Sequence, residues 1–201
     1  MIQPAPLPYP YDSLEPWMSE ATLRFHHDGH YLRYVQRTNE RTQGRFTTPS
    51  EAYFHALEIG DVGLRHQAAQ AWAHERFFEG MAPPLRRGSP SPALGRALLD
   101  FADFPEALCN AAQSVFGSGW VHVVLAPLGD GPTLRIETTQ GGRLPRHPAV
   151  MTLDVWEHAY YLDYPDDRPR FCQVWLRQLV DWDVASRRYV EGQRRATAVR
   201  S

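Results

Sequence analysis

The chain has 201 residues, 43% of them hydrophobic and 22% charged, with a formal net charge of −2. That is enough for one sizeable domain or two small ones sharing a core, and the composition is ordinary for a globular protein. The balance excludes the basic footprint of a nucleic-acid binder, the Arg pairs at 86–87, 187–188 and 194–195 being too short to make one, and the longest apolar stretch, around Val121–Leu128, is far too short to span a membrane.

Residues 1–16 carry five prolines and little periodicity, and so read as an extended arm laid over a surface. No basic stretch followed by an apolar one is present there, so a secretory signal is not expected and a cytoplasmic location is the default. Ser19 then offers an N-cap, with Glu20 in the first turn where the helix dipole favours a negative charge. From there Leu23, His26, His27, His30, Tyr31 and Tyr34 recur at helical spacing, and His26, His30 and Tyr34 share one face. A second helix is expected over Glu51–Ile59 and a third over Arg65–Glu79, with Ala68, Ala69, Trp72, Phe77 and Phe78 as apolar positions.

Four prolines and a glycine between Met81 and Pro92 predict a linker. It divides the chain into residues 1–84 and 90–201. A helix over Pro105–Val115 is broken by Phe116-Gly117-Ser118-Gly119-Trp120, which feeds a strand over Val121–Leu125. A second strand is expected over Thr133–Thr138, with Gly129-Asp130-Gly131-Pro132 as the hairpin loop between them, and a third over Val150–Val155. Phe171–Tyr189 reads as a single closing helix. Helices first, then a small antiparallel sheet with more helices, is an α+β pattern.

Cys109 and Cys172 lie in no Cys-x-x-Cys pair, so neither thiol–disulfide chemistry nor a thiolate zinc site is suggested. The strongest local signal is Asp154-Val155-Trp156-Glu157-His158, a carboxylate and an imidazole four residues apart. Taken alone, that spacing more often marks a hydrogen-bonded Asp–His pair, and His74 alone is more often a satisfied core histidine. As a set, His26, His74, Asp154 and His158 would make a nitrogen/oxygen site hard enough for iron or manganese. The absence of a cysteine from the set argues against structural zinc.

Several motifs in order resemble the iron/manganese superoxide dismutase family over nearly the whole chain. They are Pro6-Leu7-Pro8-Tyr9 with Leu14-Glu15-Pro16, Phe25-His26-His27-Asp28-Gly29-His30 with Tyr34-Val35, and Ala68 to His74 followed by Met81-Ala82-Pro83. Phe116 to Trp120, then Asp154 to Tyr161, then Arg168-Pro169 and Trp182 complete the series. The resemblance implies an N-terminal α-hairpin domain, then a C-terminal domain with a small three-stranded antiparallel sheet. It implies conversion of two superoxide ions to dioxygen and hydrogen peroxide at one redox metal. His26, His74, Asp154 and His158 would be its protein ligands, and solvent the fifth.

The resemblance also assigns roles around that centre. Gln70 stands where iron-type members carry the glutamine that tunes the metal through bound solvent. Manganese-type members carry it in the loop after the second strand, here Thr139-Gln140-Gly141, with Gln140 one residue from the matching position. Iron is therefore expected, with manganese as a possible substitute. Tyr34 and His30 resemble the substrate gateway, and Trp120 and Trp156 the aromatic walls of the site. Glu157 and Tyr161 resemble the contacts of a homodimer, Glu157 to the partner's His158 and Tyr161 to the partner's His30. Arg168 is expected to attract the anion. Gly29, Tyr31, Ala73, Phe78 and His122 depart from the residues common in the family, and Phe101–Asn110 is shorter than usual, which bears on rate, pH profile and metal preference. Two rivals remain: a non-catalytic structural or interaction protein on the same fold, and a non-haem iron oxygenase using two histidines and a carboxylate.

Overall fold

The computed structural model describes residues 1–128 and 131–198, the side chains of 197 and 198 excepted. The first long helix has three parts: α1 (Glu20–Arg24), a π-helical stretch (Phe25–Tyr31) and α2 (Leu32–Thr42). Ser19 caps it as expected, its Oγ accepting from the Thr22 N–H at 3.1 Å. The π stretch was not expected. It inserts i→i+5 hydrogen bonds between two α-helical turns and re-aims His26, His27 and His30, which it carries.

The helix α3 (Pro49–Glu58) starts at a reciprocal capping box between Thr48 and Glu51. The helix α4 (Val62–Glu79) starts on the Asp61 carboxylate, which accepts from the Leu64 N–H at 2.9 Å. Both begin earlier than the apolar periodicity indicates, because their first turns are defined by caps. The long helix, α3 and α4 pack on one another through Leu23, Tyr31, Val35, Ala52, Ala68, Ala71 and Phe77, all buried. The N-terminal arm lies across them as expected, with the Ala5 N–H on the Tyr31 hydroxyl at 2.7 Å and the Tyr9 hydroxyl on the Phe78 carbonyl at 2.9 Å.

The expected linker is pinned rather than free. A β-bridge joins Met81 to Val180, and the Ala82, Asp181 and Trp182 N–H groups bond to the carbonyls of Leu179, Gly80 and Arg87, each at 2.8 Å. A helix missed in the sequence, α5 (Pro92–Leu99), follows at once. Ser91 accepts from the Leu94 N–H and Pro92 takes the first turn, which is the Ser-Pro signal for a helix start. Then come α6 (Phe104–Ser114) and the sheet: β1 (Trp120–Leu128), β2 (Gly131–Thr139) and β3 (Ala149–Asp154).

The sheet order is β2-β1-β3, antiparallel throughout. The central strand β1 is buried on both faces from Trp120 to Ala126, which explains an apolar run broken only by His122. Of the expected hairpin loop, Gly129 and Asp130 lie outside the described residues, while Gly131 and Pro132 belong to β2, paired with Leu128 and Pro127. Trp120 faces Asp154 across the β1–β3 ladder.

The closing helix is two elements. α7 (Arg168–Val174) runs into a π-helical stretch (Trp175–Leu179), the chain extends at Val180, and α8 (Trp182–Ala198) restarts. Asp181 causes the restart: its carboxylate accepts from the Asp183 and Val184 N–H groups at 2.9 Å each. Among the described residues no helix is long and apolar enough to cross a membrane.

Candidate metal centre

Two elements of each half deliver the four expected ligands. His26 comes from the π stretch and His74 from the last turns of α4; Asp154 ends β3, and His158 sits in a 3₁₀ turn (Glu157–Ala159) just beyond it. One donor atom of each lies within 4.8 Å of the others. His26, His74 and Asp154 are wholly buried, and the His158 side chain is 10% exposed. The centre of the cluster is Oδ2 of Asp154, which lies 3.1 Å from His26 Nε2, 3.4 Å from His158 Nε2 and 3.8 Å from His74 Nε2. The other oxygen, Oδ1, accepts from the Trp156 N–H at 2.9 Å, which fixes the carboxylate's rotation.

The protonation pattern defines what the cluster can hold. His74 Nδ1 lies 2.7 Å from the Gln70 carbonyl, an acceptor, so that nitrogen carries the hydrogen. Its Nε2 is then a bare lone pair, buried and without a partner, turned towards Asp154. Burial opposes charge on Asp154, but hydrogen bonds from His158 and His26 and their positive potential outweigh it and hold the carboxyl well below its usual range. Burial pushes His26 down to about 4 and His74 well below its ordinary value. The neutral His74 imidazole therefore turns a bare lone pair on an ionised carboxylate in a dry site. Buried acceptors turned on one another are costly, and a cation among the four donors relieves that cost. The donors fit a metal.

The surrounding side chains also stand close to the cluster. His30 stacks on His158, centroids 3.9 Å apart and planes 11° apart, and burial lowers its pKa to about 4. Tyr34 is half-buried, its ring 5.1 Å from that of His74, and burial raises its pKa. Trp120 meets the His74 ring edge-on at 4.9 Å, and Trp156 lies 5.5 Å from His158. Both indole N–H groups are buried without a partner. Phe77 and Phe78, 5.3 Å and 4.9 Å from the His26 ring, complete an aromatic shell.

The two glutamines are used differently. Gln70 is buried, one turn before His74, and its Oε1 has no partner. Gln140 is exposed, and its amide is committed to the Phe116 and Ser118 carbonyls at 2.6 Å and 3.2 Å. Glu157 is exposed and Tyr161 is 48% exposed.

Arg168, expected to attract the anion, is bonded within its own chain. Its guanidinium donates to the Val115, Gly117 and Ala112 carbonyls at 2.6, 2.7 and 3.3 Å and to the Tyr160 hydroxyl at 3.0 Å. Those bonds hold the segment that leads into Trp120. Two residues that sequence reasoning left without a role, Thr139 and Thr152, grip the buried His122 ring at 3.1 Å and 3.2 Å. No sequence signal marks them, since the contacts join three strands.

An α+β scaffold whose two halves share one buried nitrogen/oxygen cluster defines a mononuclear metalloenzyme class with hard donors suited to a redox-active first-row ion. Residues 3–82 match the model of the iron/manganese superoxide dismutase α-hairpin domain, and residues 89–188 match that of the family's C-terminal domain. A protein named superoxide dismutase [Fe] from Synechococcus elongatus is 37% identical over 194 residues, covering 91% of this chain and 94% of the relative. The proteins of the same name from Synechocystis and from Legionella pneumophila are 38% and 32% identical, each over 90% of this chain and 94% of the relative. The chain belongs to the iron/manganese superoxide dismutase family.

Proposed function

We propose that His26, His74, Asp154 and His158 hold one iron ion, at which the chain converts two superoxide ions and two protons to dioxygen and hydrogen peroxide. The observation that carries the ligand set is the bare lone pair of His74 Nε2, buried and turned on an ionised carboxylate. The relatives' names support iron, as does the burial of Gln70 beside His74 while Gln140 is committed to backbone carbonyls. The same donors suit manganese as a substitute.

When bound, the ion supplies a one-electron acceptor to one superoxide and a one-electron donor to the next. The chain supplies the rest. Trp120, Trp156, Phe77 and Phe78 keep bulk water off the donors. Gln70 sets the potential through its amide. Tyr34 keeps its proton at neutral pH, because burial raises its pKa, and so is placed to deliver it towards reduced substrate. His30 screens the path by stacking on His158.

Residues 1–84 and 90–201 act as two domains, a reading supported by the separate family matches. The exposed Glu157 and Tyr161 support an isologous homodimer, and a cytoplasmic setting is retained. The test is elemental analysis with a superoxide assay and sedimentation on iron- and manganese-loaded chain. One metal per chain, full activity with iron and a dimer are expected. An inactive iron-loaded chain would instead mark a non-catalytic member of the family.

A further inference from the structure

Outside the metal centre, the fold brings the sulfurs of two cysteines together. Cys109 on α6 and Cys172 on α7 stand 63 positions apart in the sequence, yet their sulfurs lie 3.0 Å apart. Both are free thiols. We propose that Cys109 and Cys172 are a peroxide-oxidisable pair that closes to an intrachain disulfide between α6 and α7.

The pair is asymmetric in a way that suits the two roles. Cys109 is 7% exposed and Cys172 is 0% exposed. Small oxidants therefore reach Cys109 first. The hydrogen bond with Cys172 lowers the Cys109 pKa against the opposing effect of burial, with help from Arg177, whereas the same bond and burial raise that of Cys172. Of the two, Cys109 ionises the more readily, and the thiolate is the form that attacks peroxide.

The chemistry balances with hydrogen peroxide as the only co-reactant. The Cys109 sulfur attacks one peroxide oxygen; an S–O bond forms, the O–O bond breaks and hydroxide leaves. The Cys172 sulfur then attacks the Cys109 sulfur; the S–S bond forms, the S–O bond breaks, and the Cys172 proton departs with the oxygen as water. Two thiols and one peroxide give one disulfide and two waters, the sulfurs losing two electrons to the peroxide. The proposed dismutase reaction makes this oxidant, but the test supplies it from outside, so failure here leaves the dismutase reading untouched.

Position gives the bond a consequence. Arg168, at the start of α7, already bonds to the carbonyls that close α6. A disulfide one turn further along α7 doubles that joint, and the joint leads directly into Trp120 and the wall of the metal site. The pair is a covalent brace that closes as peroxide accumulates.

The metallated chain is treated with hydrogen peroxide or with diamide, then denatured, and its thiols, intact mass and tryptic peptides are measured. Expected are a fall from two thiols per chain to none, a mass loss of two hydrogens, and peptide 171–177 linked to peptide 97–135 within one chain, all reversed by dithiothreitol. In Cys172→Ser, peroxide should stop at a sulfenic acid on Cys109 that dimedone traps, and in Cys109→Ser the remaining thiol should persist. Added oxygens without the linked peptide, a link between chains, or thiols surviving both oxidants would overturn the proposal. Closure by diamide but not by peroxide would overturn its oxidant.

Discussion

Asp154→Asn isolates charge from shape at the centre of the cluster. The amide keeps the acceptor that the Trp156 N–H binds at 2.9 Å, but it removes the one negative charge among the four donors. Any ion held by those donors lies within about 4 Å of that charge, since the donor atoms are within 4.8 Å of one another. At an effective dielectric of about 20, a unit pair at that distance is worth about 4 kcal/mol, or about 10³-fold in affinity for each charge on the ion. Thermal unfolding at fixed free iron reads this directly. With iron at about 100 times its dissociation constant, the wild-type chain gains about 2.7 kcal/mol over its metal-free form, which in a domain of this size is roughly 5–11 °C in midpoint. The variant should show no such gap, while its metal-free form melts within a few degrees of the metal-free wild type. A variant that retains iron with the full gap would refute the reasoning.

Three other expectations follow from the same geometry. Gln70→Leu removes a buried carbonyl that has no partner, so it should leave stability unchanged or raise it by about 1 kcal/mol; the metal's midpoint potential should move, and an unchanged potential removes the role given to Gln70. His122 is held neutral by burial, its pKa pushed down to about 3. The unfolded chain takes up that proton near pH 6.5 and the folded chain does not until about pH 3, so stability falls as pH drops through that window. By pH 5 the loss is on the order of 2 kcal/mol. His122→Gln should therefore flatten the melting-temperature profile between pH 7 and 5, and an equally steep profile would assign the acid limb to other groups. Arg168→Ala strips charged hydrogen bonds from the carbonyls of Val115 and Gly117, at a cost of roughly 2–3 kcal/mol and a midpoint lower by roughly 5–10 °C. If Arg168 instead acted by attracting the anion, the main change would be a weaker salt dependence of kcat/KM at unchanged stability.

Much of the architecture is written locally. Ser19 caps a helix where capping chemistry says it should, and the apolar run at Val121 makes the central strand. The features that escaped are those whose causes are distant or are read only against a cap. The Ser91-Pro92 start was masked by the surrounding prolines, and the restart at Asp181 was hidden inside a continuous apolar periodicity. The π stretch has no periodicity of its own; packing of His26 and His30 against His158 and Phe78 accompanies it. For the metal centre, residue types and motif resemblance name the four donors. Their convergence depends on the ladder that sets Trp120 opposite Asp154 and on the packing of α4 beneath it. The backbone contacts that orient the donors, Gln70 to His74 and Trp156 to Asp154, could not be read from side-chain identity. The pairing of Cys109 with Cys172 likewise rests on α6 meeting α7, which no short spacing announces.

The division of the donors has a consequence for biogenesis. Two come from residues before the pinned crossing at Met81 and two from residues after it. A nascent chain that has released only its first half presents two imidazoles and no carboxylate, too few to keep a redox ion. With the proposed ligand set, loading would wait until β3 has docked against α4, and an incomplete polypeptide would be spared from cycling electrons in the open. An ion seated afterwards works as a rivet, and pulling it out with a chelator should loosen the seam between the halves before either half melts.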